Sequence, residues 1–263
     1  MPGAIIAHIW WGICAVMRCD PYLRCALALM VGFVAAAAVF SLWPGFDLWV
    51  SGLFFRQDGG FWLAQLQVLE QLRHFIWGLS LLAVAMSVLG VVLLGAGRTL
   101  WGLTRRGWLF VLLLYVVGPG LIVNAILKSH WGRARPAMVQ DFGGPSRFTM
   151  ALSPTDQCDA NCSFVSGEGA AATALALVAW LLMPRVAAVF GAGAARVIFS
   201  AALGICSAGI GLRVMTGRHF LSDTVFAVLI VLTVALVLHV WLLRPARAAC
   251  SARLVKETDR GGC

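Results

Sequence analysis

The chain has 263 residues, of which 61% are hydrophobic and only 12% charged, with a mean hydropathy of +0.89. Soluble domains carry roughly a quarter charged residues, so the composition excludes an ordinary water-soluble protein and implies a single membrane-embedded domain over residues 1–263. The net charge of +9 does not mark a nucleic-acid binder, because the arginines lie between apolar segments, where orientation signals belong.

In chain order, Ala4 to Met17 is apolar but holds only 14 residues, too few for a comfortable span. It has no basic leader, so it reads as an interfacial helix rather than a cleaved signal. Six apolar segments follow, roughly 25–43, 75–97, 107–127, 166–183, 197–212 and 224–243. Backbone groups in lipid must be bonded internally, so the segments are expected to be helices. The fold class predicted is all-α, a six-transmembrane-helix bundle. Gly118-Pro119-Gly120 is expected to bend the third span. The aromatic-rich stretch FDLWVSGLFFRQDGGFW, residues 46–62, reads as an amphipathic helix lying in the interface.

Cations set the orientation. The termini and the connections 98–106 and 185–196 hold 12 of the 20 Lys and Arg residues, so that side is expected to be cytoplasmic, with both termini inside. The opposite side then collects Lys128 and Arg135 after the third span, Ser166, Gly167 and Glu168 at the start of the fourth, Arg213 at the end of the fifth, and His219 and Asp223 at the start of the sixth. Span parity alone brings these distant residues to one face.

Their chemistry suits a phosphate. Lys128, Arg135 and Arg213 offer three cations, and arginine binds phosphate oxygens in bidentate fashion. A helix opening at Ser166-Gly167 adds backbone N–H groups and the positive end of its dipole. His219 and Asp223 are four apart, on one helical face. The carboxylate can fix the imidazole tautomer and leave the other ring nitrogen as a nucleophile. No His, Cys, Asp or Glu set has metal-ligand spacing, so no metal is expected. Cys158 and Cys162, in the loop before Ser166, suit a local disulfide. His130 and Arg133 read equally as headgroup contacts or loop residues, and Arg218 as an added cation or an interfacial anchor.

Lys128-x6-Arg135-Pro136 within KSHWGRARP, Ser166-Gly167, and Arg213-x5-His219-x3-Asp223 within RVMTGRHFLSD together resemble the three-part signature of the type-2 phosphatidic acid phosphatase superfamily. The resemblance covers about residues 107–243. It implies a membrane lipid phosphatase that needs no metal or cofactor and works through a phosphohistidine. His219 would attack phosphorus, Asp223 would orient it, and Lys128, Arg135, Arg213, Ser166 and Gly167 would hold the phosphoryl group. The implied substrates are lipid A phosphates or undecaprenyl diphosphate, then phosphatidylglycerol phosphate or phosphatidate. The implied setting is a bacterial inner membrane with a periplasmic active site.

The chain departs from the family pattern at three places. Val165 replaces a proline, Leu212 a serine, and Glu168 the histidine that acts as general acid. Burial and a substrate dianion would favour a protonated Glu168, while three cations would favour the carboxylate. Two roles therefore stay open for it, general acid or hydrogen-bond partner of arginine and backbone. A carboxylic acid in that slot suits a diphosphate or anomeric sugar phosphate better than a simple alkyl phosphate. A non-catalytic lipid-phosphate binder or transporter is the alternative function.

Overall fold

The computed structural model describes residues 20–244. The segment Ala4 to Met17 lies outside them. Helix α1, Pro21–Leu42, starts on Asp20, whose carboxylate accepts from the Tyr22 N–H at 3.0 Å. Proline at the first helical position loses no bond there. A short helix, α2, Gly45–Gly52, follows. It leads into a two-residue-per-strand hairpin, β1 Phe55–Arg56 with β2 Gly60–Phe61, and a 3-10 turn, Trp62–Gln65. The stretch 46–62 is therefore not one interfacial helix. Gly59-Gly60, with Gly60 at φ +66°, breaks it into a hairpin.

Helix α3 spans Gln67–Leu93. A second small hairpin, β3 Thr99–Leu100 with β4 Leu103–Thr104, connects it to α4, Arg105–His130. Within α4 the turn widens to a π-helix over Val116–Leu127. Pro119 has no N–H to give the ladder, and the Asn124 side-chain amide donates to the Pro119 carbonyl at 2.7 Å. The expected bend at Gly118-Pro119-Gly120 takes this form.

Helix α5 runs Gly167–Met215, 49 residues, with one non-helical residue, Gly191 at φ 87° and ψ 157°. The fourth and fifth expected spans both fall on it, and the helix continues through Pro184 into the connection expected between them. At 1.5 Å per residue a straight helix would hold Glu168 and Arg213 roughly 70 Å apart. Their side chains instead meet at 3.2 Å. Helix α5 is a hairpin that turns at Gly191, and each arm is about 36 Å long by the same rise. Helix α6, Leu221–Leu242, completes the described chain.

Among the described residues five helices are thus long and apolar enough to cross a membrane, and the fourth of them is doubled. Each arm exceeds the roughly 30 Å of a bilayer's hydrocarbon core. Large apolar side chains such as Leu42, Val92, Phe190 and Val197 point outward, as lipid-facing residues do. The chain is a multi-pass membrane protein.

Helices α4 and α6 supply most of the buried core. Val111, Leu114, Ala227 and Val231 are fully buried, and Phe40, Trp108 and Phe226 pack around them. Arg244 binds Asp20 at 2.7 Å and Tyr22 OH meets His239 Nδ1 at 3.2 Å, which ties α1 to α6 at the end away from Ser166.

Gly191 occupies a backbone region open essentially to glycine. Gly191→Val is expected to destabilise the protein by about 1–3 kcal/mol, read as a lower thermal midpoint in detergent, while Gly193→Val, at ordinary φ, is expected to leave it near wild type.

Candidate active site

The site is built where the starts of α5 and α6, the end of α4 and the loop 131–166 converge. Its base is a buried charge cluster around Arg133, which has no exposed surface. One Arg133 Nη atom donates to Asp47 Oδ2 at 2.9 Å. The other donates to Asp223 Oδ1 at 2.6 Å and Ser222 Oγ at 2.8 Å, and Nε donates to the Thr149 carbonyl at 2.9 Å. The Phe220 ring lies 4.3 Å from the guanidinium carbon. Arg133 lies on the loop after α4, as one of its two readings had it, but it faces inward and is fully buried. It is the clamp between two carboxylates.

Asp47, on α2, also accepts from the Ser222 N–H at 2.9 Å and from the Ser222 hydroxyl. A carboxylate there caps the start of α6 and opposes the positive end of its dipole. Burial pushes the Asp47 carboxyl up from its ordinary value, Arg133 pulls against it, and Asp223 adds to the burial effect. This role is not legible in the sequence, because Asp47 sits in an aromatic stretch that reads as interfacial.

Asp223 is fully buried. Its Oδ2 accepts from Ser163 Oγ at 2.5 Å and from the Phe220 N–H at 2.8 Å. The His219 Nδ1 lies 3.8 Å from the same oxygen, beyond a hydrogen bond. It lies 2.8 Å from the Ser163 carbonyl instead. The expectation that Asp223 holds His219 directly is corrected. Its oxygens are taken, and Ser163 stands between them, binding Asp223 by its hydroxyl and His219 by its carbonyl. A carbonyl only accepts, so Nδ1 carries the proton and Nε2 keeps its lone pair. Burial lowers the His219 pKa from its ordinary value of 6.5, ahead of the opposing pull of Asp223.

His219 borders a polar cavity of about 260 Å3 lined also by Lys128, Arg135, Asn161, Glu168, Arg213 and Arg218, with Glu70 and Arg73 from α3. The cavity brings together Lys128, Arg135, Arg213, Glu168 and His219. It does not include Ser166 or Gly167. Ser166 is buried beneath it as the cap of α5, its Oγ accepting from the Gly169 N–H at 3.1 Å. Gly167 lies so close to Asn124 that a Cβ there would sit 2.6 Å from Oδ1. Both shape the helix start rather than line the cavity.

Arg135 donates to the Asn161 carbonyl at 2.9 Å. Burial, then the Arg218 cation, lower its pKa from the ordinary value, so an anion in the cavity would relieve it. Cys158 and Cys162 form a disulfide with Cα atoms 5.7 Å apart. The bonded loop carries Asn161, and its Cys162 N–H donates to the Lys128 carbonyl at 3.3 Å. Glu168 pairs with Arg213 Nε at 3.2 Å and with Arg73 Nη1 at 3.4 Å. Arg73 and Glu70 line the cavity and are not singled out in the sequence, since they lie just before the apolar span 75–97, on the helical extension that starts at Gln67. Among the described residues no three His, Cys, Asp or Glu side chains are grouped to hold a metal ion.

Residues 108–247 match the PAP2 superfamily. Three curated relatives are each 32% identical to the chain, and each is a lipid A 4'-phosphatase. The protein from Francisella tularensis subsp. novicida (strain U112) aligns over 205 residues, 76% of this chain and 87% of its own. The one from Rhizobium leguminosarum aligns over 206 residues, 73% and 84%. The one from Rhizobium etli aligns over 253 residues, 88% and 95%. No solved structure matches. The chain belongs to the PAP2 superfamily, and it is a phosphatase, a hydrolase of phosphoric monoesters.

Removing one partner of a buried ion pair strands the other and costs about 3–5 kcal/mol. Arg133→Ala is therefore expected to lower unfolding stability in detergent by that amount, and Asp47→Asn, which keeps the hydrogen-bonding shape, by less. A second expectation concerns His219. Nitrogen-15 NMR of the histidines, assigned with His219→Asn, should show the neutral Nδ1–H tautomer persisting at about pH 6, below the free imidazole value. A cationic ring there would contradict the burial argument.

Proposed function

We propose that the protein removes a phosphate monoester from a membrane lipid of the lipid A type by way of a phosphohistidine on His219. The observation that carries this is the tautomer. The Ser163 carbonyl holds the Nδ1 proton, so the nucleophilic lone pair is on Nε2, in a cavity ringed by Lys128, Arg135, Arg213 and Arg218. Names of relatives point to the substrate, and the chain covers most of their length.

In this reading Nε2 attacks phosphorus in line, and the P–O bond to the sugar breaks. The four cations spread the charge of the transferring group over its equatorial oxygens. Nδ1 keeps its proton on the Ser163 carbonyl, so the phosphohistidine is cationic at the ring and stabilised by Asp223 one residue away in the network. Glu168 supplies a proton to the leaving oxygen and receives one from the water that then cleaves the P–N bond. Water's oxygen ends on phosphate, and His219 is restored neutral.

A 4'-phosphate is the ester of an ordinary secondary alcohol, a poor leaving group. The preference for a diphosphate or anomeric phosphate expected from Glu168 therefore gives way to one that needs a full proton donor. The apolar lining beside the polar cavity, Leu66, Leu69, Ile76, Trp77 and Leu212, suits a headgroup whose acyl chains stay in the bilayer. The cation count supports an active site on the extracytoplasmic side, with both termini cytoplasmic.

The test is phosphate release by the purified protein from lipid A bisphosphate, undecaprenyl diphosphate and phosphatidate in mixed micelles. Release from lipid A at the 4' position, at least tenfold above the other two, is expected. His219→Ala is expected to remove it. Release from phosphatidate alone would reject lipid A as the substrate, and binding without release from any lipid would favour a non-catalytic binder.

A further inference from the structure

Arg73 lies on α3, outside the stretch that matches the family, yet it lines the cavity with the phosphate-binding cations. Its guanidinium is held by two carboxylates in the free protein, and Nη2 also lies 3.2 Å from His74 Nε2. Nε donates to Glu70 Oε1 at 2.8 Å, Nη2 meets the same oxygen, and Nη1 reaches Glu168 Oε1 at 3.4 Å. The second Glu168 oxygen is held by Arg213 Nε at 3.2 Å. Glu168 therefore sits between two guanidiniums in the slot where relatives of the family signature place a proton donor.

A carboxylate so paired has no proton to give. The cavity around it explains how it obtains one. The groups facing Glu168 are Glu70 and Arg73 from α3, Lys128 from α4, Arg135 from the following loop, and Arg213, Arg218 and His219 from the end of α5 and the turn after it. With His219 neutral, five cations face two acids. A phosphate dianion entering this space is a better partner for a guanidinium than a single carboxylate, because it offers more oxygens and more charge. Arg73 and Arg213 both border the cavity and the apolar groove beside it, within reach of an anion there. Glu168 is then left facing a dianion, which favours its protonated form.

We propose that Arg73 is a further phosphate-site cation, parked on Glu70 and Glu168 in the free protein, and that the arriving phosphate draws Arg73 and Arg213 off Glu168. The carboxylate takes a proton from solvent at that moment and passes it to the leaving sugar oxygen as the P–O bond breaks. The proton is returned when water cleaves the phosphohistidine. Substrate binding itself thus arms the acid. This step rests on the phosphohistidine reading above.

Two measurements on the intact protein in detergent test it. The first is calorimetric titration with tungstate, a phosphate mimic that stays a dianion near neutral pH, in two buffers of different ionisation enthalpy. Wild type should take up close to one proton per bound tungstate at about pH 7, and Glu168→Gln should take up none. Arg73→Gln should bind tungstate about tenfold more weakly, the loss of one charge-assisted contact. The second is turnover of an alkyl and an aryl phosphate with equal tails. Glu168→Gln should lose turnover of the alkyl ester at least tenfold more than of the aryl ester, whose leaving group needs no proton. Arg73→Gln should slow both alike. Equal proton uptake in wild type and Glu168→Gln, or unchanged tungstate affinity in Arg73→Gln, would overturn the proposal. His219→Ala separates the two readings. It should lose turnover of both esters yet keep tungstate-linked proton uptake, and turnover retained there would reject the phosphohistidine instead.

Discussion

The rest of the site depends on a single buried cation. Arg133 holds Asp47 from α2 and Asp223 from α6, and through them it fixes the first turn of α6 and the loop that carries Ser163. Two carboxylates and a guanidinium out of water carry a large desolvation cost. The geometry offsets it by filling nearly every donor and acceptor, down to the Thr149 carbonyl and the Ser222 hydroxyl. Nothing in the cluster touches substrate. Its product is the position of one carbonyl oxygen, that of Ser163, against one imidazole nitrogen.

That arrangement separates two tasks that a direct His–Asp pair combines. Asp223 is spent on structure, as a cap for the Phe220 N–H and an anchor for Ser163 and Arg133. Its charge still stands 3.8 Å from the ring, where it would stabilise the cation that the proposed phosphohistidine carries. The tautomer is set by a neutral acceptor, which holds the proton without competing for it. A buried neutral histidine held this way keeps its Nε2 lone pair free, as the proposed attack on phosphorus requires.

The sequence made the motif residues legible because they are polar groups at span ends, where composition changes abruptly. Lys128, Arg135, Arg213 and His219 stand out for that reason, and span parity puts them on one face. Asp47 and Arg73 do not stand out. Asp47 sits among aromatics whose hydrophobicity suggests the membrane surface, and its partner is 86 residues away. Arg73 reads as the interfacial anchor of a long helix, and only the return of α5 to the same face shows that it meets Glu168. The reversal between 185 and 196 is expected from the two spans on either side, but its position at Gly191, with no loop around it, is not. A run of alanines on both sides keeps helix propensity high, so the reversal depends on one residue with access to an unusual backbone angle. The Asp223–His219 spacing was read as a contact because i,i+4 residues share a face, but sharing a face does not decide which acceptor lies nearest.

The clamp also orders how the protein can be made. Asp47 and Arg133 are synthesised long before Asp223, and neither has its full set of partners until α6 has been threaded into place. Until then both charges belong in the watery interface, where exposure costs them little. Closing the clamp withdraws them from water and, in the same movement, seats the Ser163 carbonyl against His219. On the proposed mechanism, a chain arrested before its last helix would hold every cavity cation from Lys128 to Arg213 without a seated His219, so a half-built copy in the membrane would capture phosphorylated lipid and not cleave it.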